Sequence, residues 1–173
     1  MWRVVVAVAC LSAYACGGSG SDAAVRTLDC INGYAVDPGD VSANGHTVVV
    51  GAVALPTSRA LPVVRSGLAS PDALLWTKDG LVVSTDRAIE LRVADEWRGK
   101  FSFEWGQPRD GPVERLRIPA CASTRGAGNW LAFTGGYYVA DPACVSLVVT
   151  VGRSEQRVAL GIGAPCPGQN PPG

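Results

Sequence analysis

The chain has 173 residues, with 15 Lys+Arg against 15 Asp+Glu, one His, six Cys and 47% hydrophobic residues, which fits one domain rather than several. Zero formal charge and the lack of any basic run exclude the electrostatic footprint that holds a nucleic-acid backbone. With 21 Gly and 12 Pro, the chain is rich in turn formers yet below the level of disordered sequence, and a turn-rich β fold is expected.

In chain order, the first segment is MWRVVVAVACLSAYACGGSGSD, in which Arg3 precedes an uncharged apolar stretch from Val4 to Ala15. The pattern predicts a signal peptide over 1–15. At about a dozen residues the stretch falls short of the roughly twenty that a spanning helix needs. Ala13-Tyr14-Ala15 satisfies the small-x-small rule of ordinary secretory cleavage. The same residues followed by Cys16 resemble the lipobox of bacterial lipoproteins, although Ala13 stands where Leu is commonest and Tyr14 is bulky. That resemblance implies a diacylglyceryl thioether on Cys16, which becomes the first residue after cleavage. Cys10 is a poorer candidate, because its apolar segment would be shorter and its tether apolar.

Cysteine parity favours lipidation over free secretion. Cleavage before Cys16 removes Cys10 and leaves an odd five cysteines in an oxidising compartment. Lipidation consumes Cys16, and Cys30, Cys121, Cys144 and Cys166 then suffice for two disulfides. The organisation expected is a lipidated Cys and flexible Gly/Ser tether over 16–24, a β domain over 25–166 and a disordered tail over 167–173. The membrane is then a partner through two acyl chains, since one chain binds only marginally.

Beyond the tether, short apolar runs alternate with turn signals at the spacing of a sandwich or barrel. Val41 to Val48 places Asn44-Gly45 between β-formers, a hairpin signal, and Leu74 to Ser84 repeats it around Lys78-Asp79-Gly80. Ile89, Leu91 and Val93 alternate with Glu90 and Arg92, and Phe101, Phe103 and Trp105 with Ser102 and Glu104. Leu116 and Ile118 alternate with Arg115 and Arg117, which predicts cross-strand Glu and Arg pairs on a solvated face. Pro56 and Leu61-Pro62 suggest a long loop crossing between sheets, where a partner would dock.

The last hairpin is the most explicit. Val145, Leu147, Val149 and Val151 form one stripe and Val158, Leu160 and Ile162 another, with Gly152 to Glu155 between them. This predicts Val149 opposite Val158, Leu147 opposite Leu160, Val145 opposite Ile162 and Cys144 opposite Gly163. Cys166 then folds back through Ala164-Pro165 to Cys144, which leaves Cys30 for Cys121. Four cysteines admit three connectivities, and sequence by itself excludes none of them.

The segments WTKDGLVV (Trp76 to Val83), IPAC (Ile118 to Cys121), WLAFTGGYYVADPACVSLVVTVG and VALGIGAPC resemble uncharacterised exported proteins and lipoproteins of actinobacteria. The resemblance covers most of the domain and is densest from Trp130 to Cys166. It implies a shared exported β domain with paired cysteines and carries no assigned chemistry.

Catalytic constellations are thin. His46, the single histidine, follows the Asn-Gly turn and reads as an exposed hairpin residue rather than a base. No Gly-x-Ser-x-Gly elbow and no Cys-x-x-Cys pair occurs, so neither a nucleophilic triad nor a zinc site is expected. Asp40, Ser42, Asn44 and Gly45 match part of a calcium loop, but Gly51 stands where its bidentate Glu belongs. No cofactor and no metal is therefore expected, and a simple Asp/Asn turn explains those residues. Glu90, Asp95, Glu96, Glu104 and Glu114 fall at β spacing mainly on solvated faces.

Among the aromatics, Tyr137, Tyr138 and Trp130 are candidates for a sugar-stacking surface, with Tyr137 and Tyr138 on opposite faces of one strand. The expectation is an all-β, immunoglobulin-like or related antiparallel sandwich with two disulfides. It sits on the outer face of the cell membrane as a binding or structural module, with a protein or cell-wall carbohydrate partner. The alternative of another class is a small secreted or anchored hydrolase of cell-wall glycan, which paired carboxylates would serve.

Overall fold

The structure, a computed structural model, describes residues 25–37, 39, 45–66, 74–106, 111–121 and 129–173. The fold is all-β. The strands are β1 (Arg26–Thr27), β2 (Tyr34–Ala35), β3 (Thr47–Val49), β4 (Val53–Leu55), β5 (Val64–Arg65), β6 (Leu75–Lys78) and β7 (Leu81–Ser84). There follow β8 (Ile89–Val93), β9 (Phe101–Trp105), β10 (Arg115–Ile118), β11 (Trp130–Phe133), β12 (Gly135–Val139), β13 (Ala143–Val151) and β14 (Ser154–Ile162). Single 3₁₀ turns occupy Cys30–Asn32 and Asp95–Trp97.

The strands form three sheets, β1-β10-β8-β13-β14, β2-β11-β7-β4-β3 and β5-β6-β12-β9. Among the described strands the ladders are antiparallel, as expected, apart from β1 and β10, which pair in parallel at the edge of the first sheet. A parallel bridge between Leu61 and Ile162 ties β14 toward β5, and an antiparallel bridge between Phe103 and Val113 ties β9 toward β10. The first and third sheets are thereby joined at two places, and their inward faces contribute to one shared hydrophobic core.

Period-2 alternation sets what faces inward. Ile89, Leu91 and Val93, Phe101, Phe103 and Trp105, and Leu116 and Ile118 are all buried, as the pattern predicts. Phe103 and Trp105 stack at 5.0 Å, Tyr137 meets Trp105 edge-on at 5.0 Å, and Phe101 stacks on Tyr137 at 5.8 Å. These rings form one contiguous aromatic cluster within the core. On the outer face of the first sheet the expected pairs form: Arg115 Nη2 donates to Glu90 at 2.8 Å and Arg117 lies 3.5 Å from the same carboxylate. The Arg115 hydrogen bond outweighs burial and holds the Glu90 carboxyl below its ordinary range, with Arg117 adding to the effect. Val148 points to this face yet is only 2% exposed. It lies between Arg92 and Arg157, its cross-strand neighbours, whose long aliphatic stems are of the kind that shields such a position.

Several expectations are corrected. Leu74 to Ser84 is not a hairpin: β6 and β7 belong to different sheets. Both instead pair with one partner segment, Leu75 with Val139 and Leu81 with Phe133, so the register is unchanged across the connection. Lys78-Asp79-Gly80 is the bend of one long two-stranded ribbon that passes from the second sheet into the third. In the last hairpin, Leu147 faces Val158, Val149 faces Gln156 and Cys144 faces Gly161, two residues from the expected register. A two-residue turn at Gly152-Arg153, with Gly152 at φ +60°, closes the hairpin earlier and lengthens both strands. A slip of two leaves every side chain on its own face, so the apolar stripes stay buried.

The expected Asn44-Gly45 hairpin lies partly outside the described residues. Its second arm, β3, pairs with β4 through a turn that holds Val50 at φ 49° and Gly51 at φ 65°. Residues 167–173, expected as a disordered tail, fold back instead. Asn170 bridges Arg59, accepts from Ala60 N at 2.9 Å and donates to Ser58 O at 3.1 Å. The Gln169 side chain accepts from Cys166 N at 3.0 Å and donates to Thr57 O at 2.9 Å. The crossing loop after Pro56 does run between sheets, but the chain's own C-terminal segment covers this part of it.

Candidate functional site

Both expected disulfides are formed. Cys30 joins Cys121 across 91 residues with Cα atoms 5.8 Å apart, and Cys144 joins Cys166 across 22 residues at 4.8 Å. The second forms despite the shifted register because the chain reverses after Ile162: Ala143 bridges Gly163 in parallel, which returns Cys166 to the start of β13.

The bend of the long ribbon builds a cleft. Asp79, at the bend, is anchored through its backbone: its N–H donates to Gly135 O at 3.0 Å and its carbonyl accepts from Trp105 Nε1 at 3.0 Å. Its carboxylate thus sits between the core and the surface. Oδ1 lies 3.1 Å from His46 Nε2, and the two side chains are only 9% and 13% exposed. A carboxylate only accepts, so Nε2 carries the proton of this bond. Inward of Asp79 lies Tyr137, wholly buried, whose pKa is raised well above its ordinary value by burial first and by the Asp79 carboxylate second. Tyr137, Asp79 and His46 thus form a polar line from the core to the cleft.

The cleft has a volume of about 550 Å³, and among the described residues Tyr34, Ala35, Val36, Asp37, His46 and Lys78 to Gly80 line it with Val82 and Ala132. Tyr34, Ala132 and Val82 are cross-strand neighbours in one row over β2, β11 and β7. The small side chains on the two inner strands leave depth beside the Tyr34 ring, which is 53% exposed. A volume in the ~300–1,000 Å³ range, an apolar floor and a few convergent polar groups are the features of a small-ligand site.

His46 is therefore not an exposed hairpin residue. Sequence shows it in a turn-rich stretch; only folding brings it to Asp79, 33 residues away. Asp79 was legible as a turn residue, and Tyr34 and Asp37 carry no local signal. Of the aromatic candidates, Tyr137 belongs to the core. Tyr138 is 8% exposed, with its hydroxyl donating to Glu104 Oε2 at 2.8 Å, and its pKa is pushed up to about 12 by burial and that carboxylate. Trp130 is half-buried in β11. Neither tyrosine is available for stacking, and the exposed ring of this region is Tyr34.

The acidic candidates lie apart from the cleft and are engaged. Glu90 pairs with Arg115, Asp95 with Arg98, and Glu96 with Arg157. Glu104 accepts from Tyr138, and Glu114 accepts from Gly99 N. Asp40, Ser42, Asn44 and Cys16 lie outside the described residues. Among the described residues no group of His, Cys, Asp and Glu is placed to hold a metal ion, and no helix is long and apolar enough to cross a membrane. The two disulfides are compatible with an exported protein. Comparison with protein-family models, curated proteins and solved structures gives no match.

Proposed function

We propose that the protein is a lipid-anchored extracytoplasmic β domain that acts as a binding or structural module on the outer face of the cell membrane. The observation that carries this reading is the pair of disulfides, which engages Cys30, Cys121, Cys144 and Cys166. Once the leader with Cys10 is removed, Cys16 is the one cysteine left for acylation. Intact mass of protein extracted from membranes, with and without reductant, tests this reading. The expected mass is that of the chain from Cys16 plus acyl groups and two disulfides. Cys16→Ser should lose the acyl mass and keep both disulfides. Recovery of the chain with its leader attached and its thiols reduced would overturn the reading.

A glycan hydrolase is the second reading, favoured by one observation: Asp37, Asp79 and His46 line the same cleft. Release of reducing ends from cell-wall glycan, abolished in Asp37→Asn and Asp79→Asn, is its expected signature. A wild-type protein that releases none rejects it.

A further inference from the structure

We propose that the cleft between β2 and the bend of the ribbon binds a neutral pyranose sugar, stacked on Tyr34 and hydrogen-bonded by Asp37, Lys78 and the His46–Asp79 pair. This deepens the envelope reading by naming a ligand class and the residues that take it.

A pyranose is amphipathic in the same sense as this cleft. Its C–H face is flat and apolar, and its rim carries hydroxyls that both donate and accept. Tyr34 presents a half-exposed ring at the side of the cleft, and Ala132 and Val82 form a floor of small side chains next to it. An aromatic ring beside such a floor gives a stacking contact together with burial of apolar area.

The polar residues lining the cleft are mixed in charge and in hydrogen-bonding role: Asp37 accepts, Lys78 donates, and His46 and Asp79 are already joined to each other. Such a rim satisfies hydroxyls. It disfavours a strongly anionic ligand, which would meet two carboxylates, while Lys78 offsets part of the pull those carboxylates exert on a cation.

The pair at the base is held in place before any ligand arrives. Asp79 is fixed at both ends of its backbone, to Gly135 and to the Trp105 indole, so its carboxylate and the imidazole bonded to it have little freedom left to lose.

The test is titration of the full exported protein, isotopically labelled, with cellotriose and with the β-1,4-linked trimer of N-acetylglucosamine at millimolar concentration, read by amide chemical shifts. The expected result is saturable shifts at Tyr34, Ala35, Lys78 and Gly80 with at least one of the two sugars. Tyr34→Ala should weaken binding about tenfold, Tyr34→Phe should retain it, and Ile31→Ala, at another exposed position, should leave it unchanged. Absence of shifts at these amides with both trimers, or shifts confined to another face, would overturn the proposal. So would shifts at the same amides produced by an alanine-containing cell-wall peptide and not by either sugar. The acyl mass of the membrane-extracted protein is read independently, so failure of the sugar assignment and failure of the anchored reading are told apart.

Discussion

Asp79 and Gly135 hold the long ribbon together at its bend, the amide of the first donating to the carbonyl of the second at 3.0 Å. On one side of this bond the pair of strands belongs to the third sheet and on the other to the second. The same bond places the Asp79 carboxylate beside His46, so the corner of the fold and the base of the cleft are one structural feature.

This corner admits no side chain at Gly135. A Cβ there would lie 1.9 Å from Glu104 O and 2.6 Å from the Trp105 ring. Because the obstacle is backbone, no rotamer change relieves it. Gly135→Ala is expected to destabilise the fold by about 3 kcal/mol or more, read as a lower urea midpoint. A midpoint equal to wild type would show that the corner is more pliant than its contacts imply.

The two disulfides should differ in worth. In the chain-entropy model, a loop of 91 residues contributes about 4.5 kcal/mol and one of 22 residues about 3 kcal/mol. Replacing Cys30 and Cys121 together by Ala is therefore expected to cost more than replacing Cys144 and Cys166 together. Denaturant unfolding of the two double variants decides, and the reverse order would show that native-state terms dominate.

Alkaline stability should follow the buried tyrosines. Tyr137 is shifted well above its ordinary 10.0, and Tyr138 to about 12. Above pH 10 the unfolded chain loses these protons while the folded chain keeps them, so stability is fully present below pH 10 and falls as pH rises toward and beyond 12. Urea midpoints at successive pH values should decline over that window. The decline should be shallower in Tyr138→Phe, and a slope identical to wild type would detach this residue from the effect.

The turn between β3 and β4 carries a strained residue. Val50 is β-branched and sits at φ 49°, a conformation that crowds its side chain against the backbone. Val50→Asn should relieve that strain and stabilise the domain by about 1 kcal/mol, measured as a raised thermal midpoint. A lowered midpoint would mean that the contact of Val50 with the core outweighs its backbone strain.

How far the fold is legible from sequence is shown by particular residues. Phe101, Phe103 and Trp105 reveal their inward face by alternation alone, because a strand reverses its side chains at every residue. The stripe from Val145 to Val151 likewise reveals which face is buried, but not its partner residues, because a register slip of two preserves every face. The pairing of Cys144 with Cys166 survives that slip, since both cysteines lie at the open end of the hairpin. The cleft was much less legible. Tyr34 and Asp37 come from one part of the chain, His46 from another and Asp79 from a third, and no local period links them.

The sequence by itself determined the β class, the inward face of each strand with clear alternation, and the charged outer face over Glu90 and Arg115, and it named the cysteine pairing that the structure then selected from three. These depend on local periodicity and on residue types that leave few alternatives. Only the tertiary structure decided that the segment around Asp79 bends between sheets, that the last turn is two residues long, that the C-terminal segment docks on the crossing loop, and that His46 meets Asp79. Those outcomes depend on contacts between distant segments, where backbone hydrogen bonds and core packing choose among arrangements that hydrophobic patterning leaves equal.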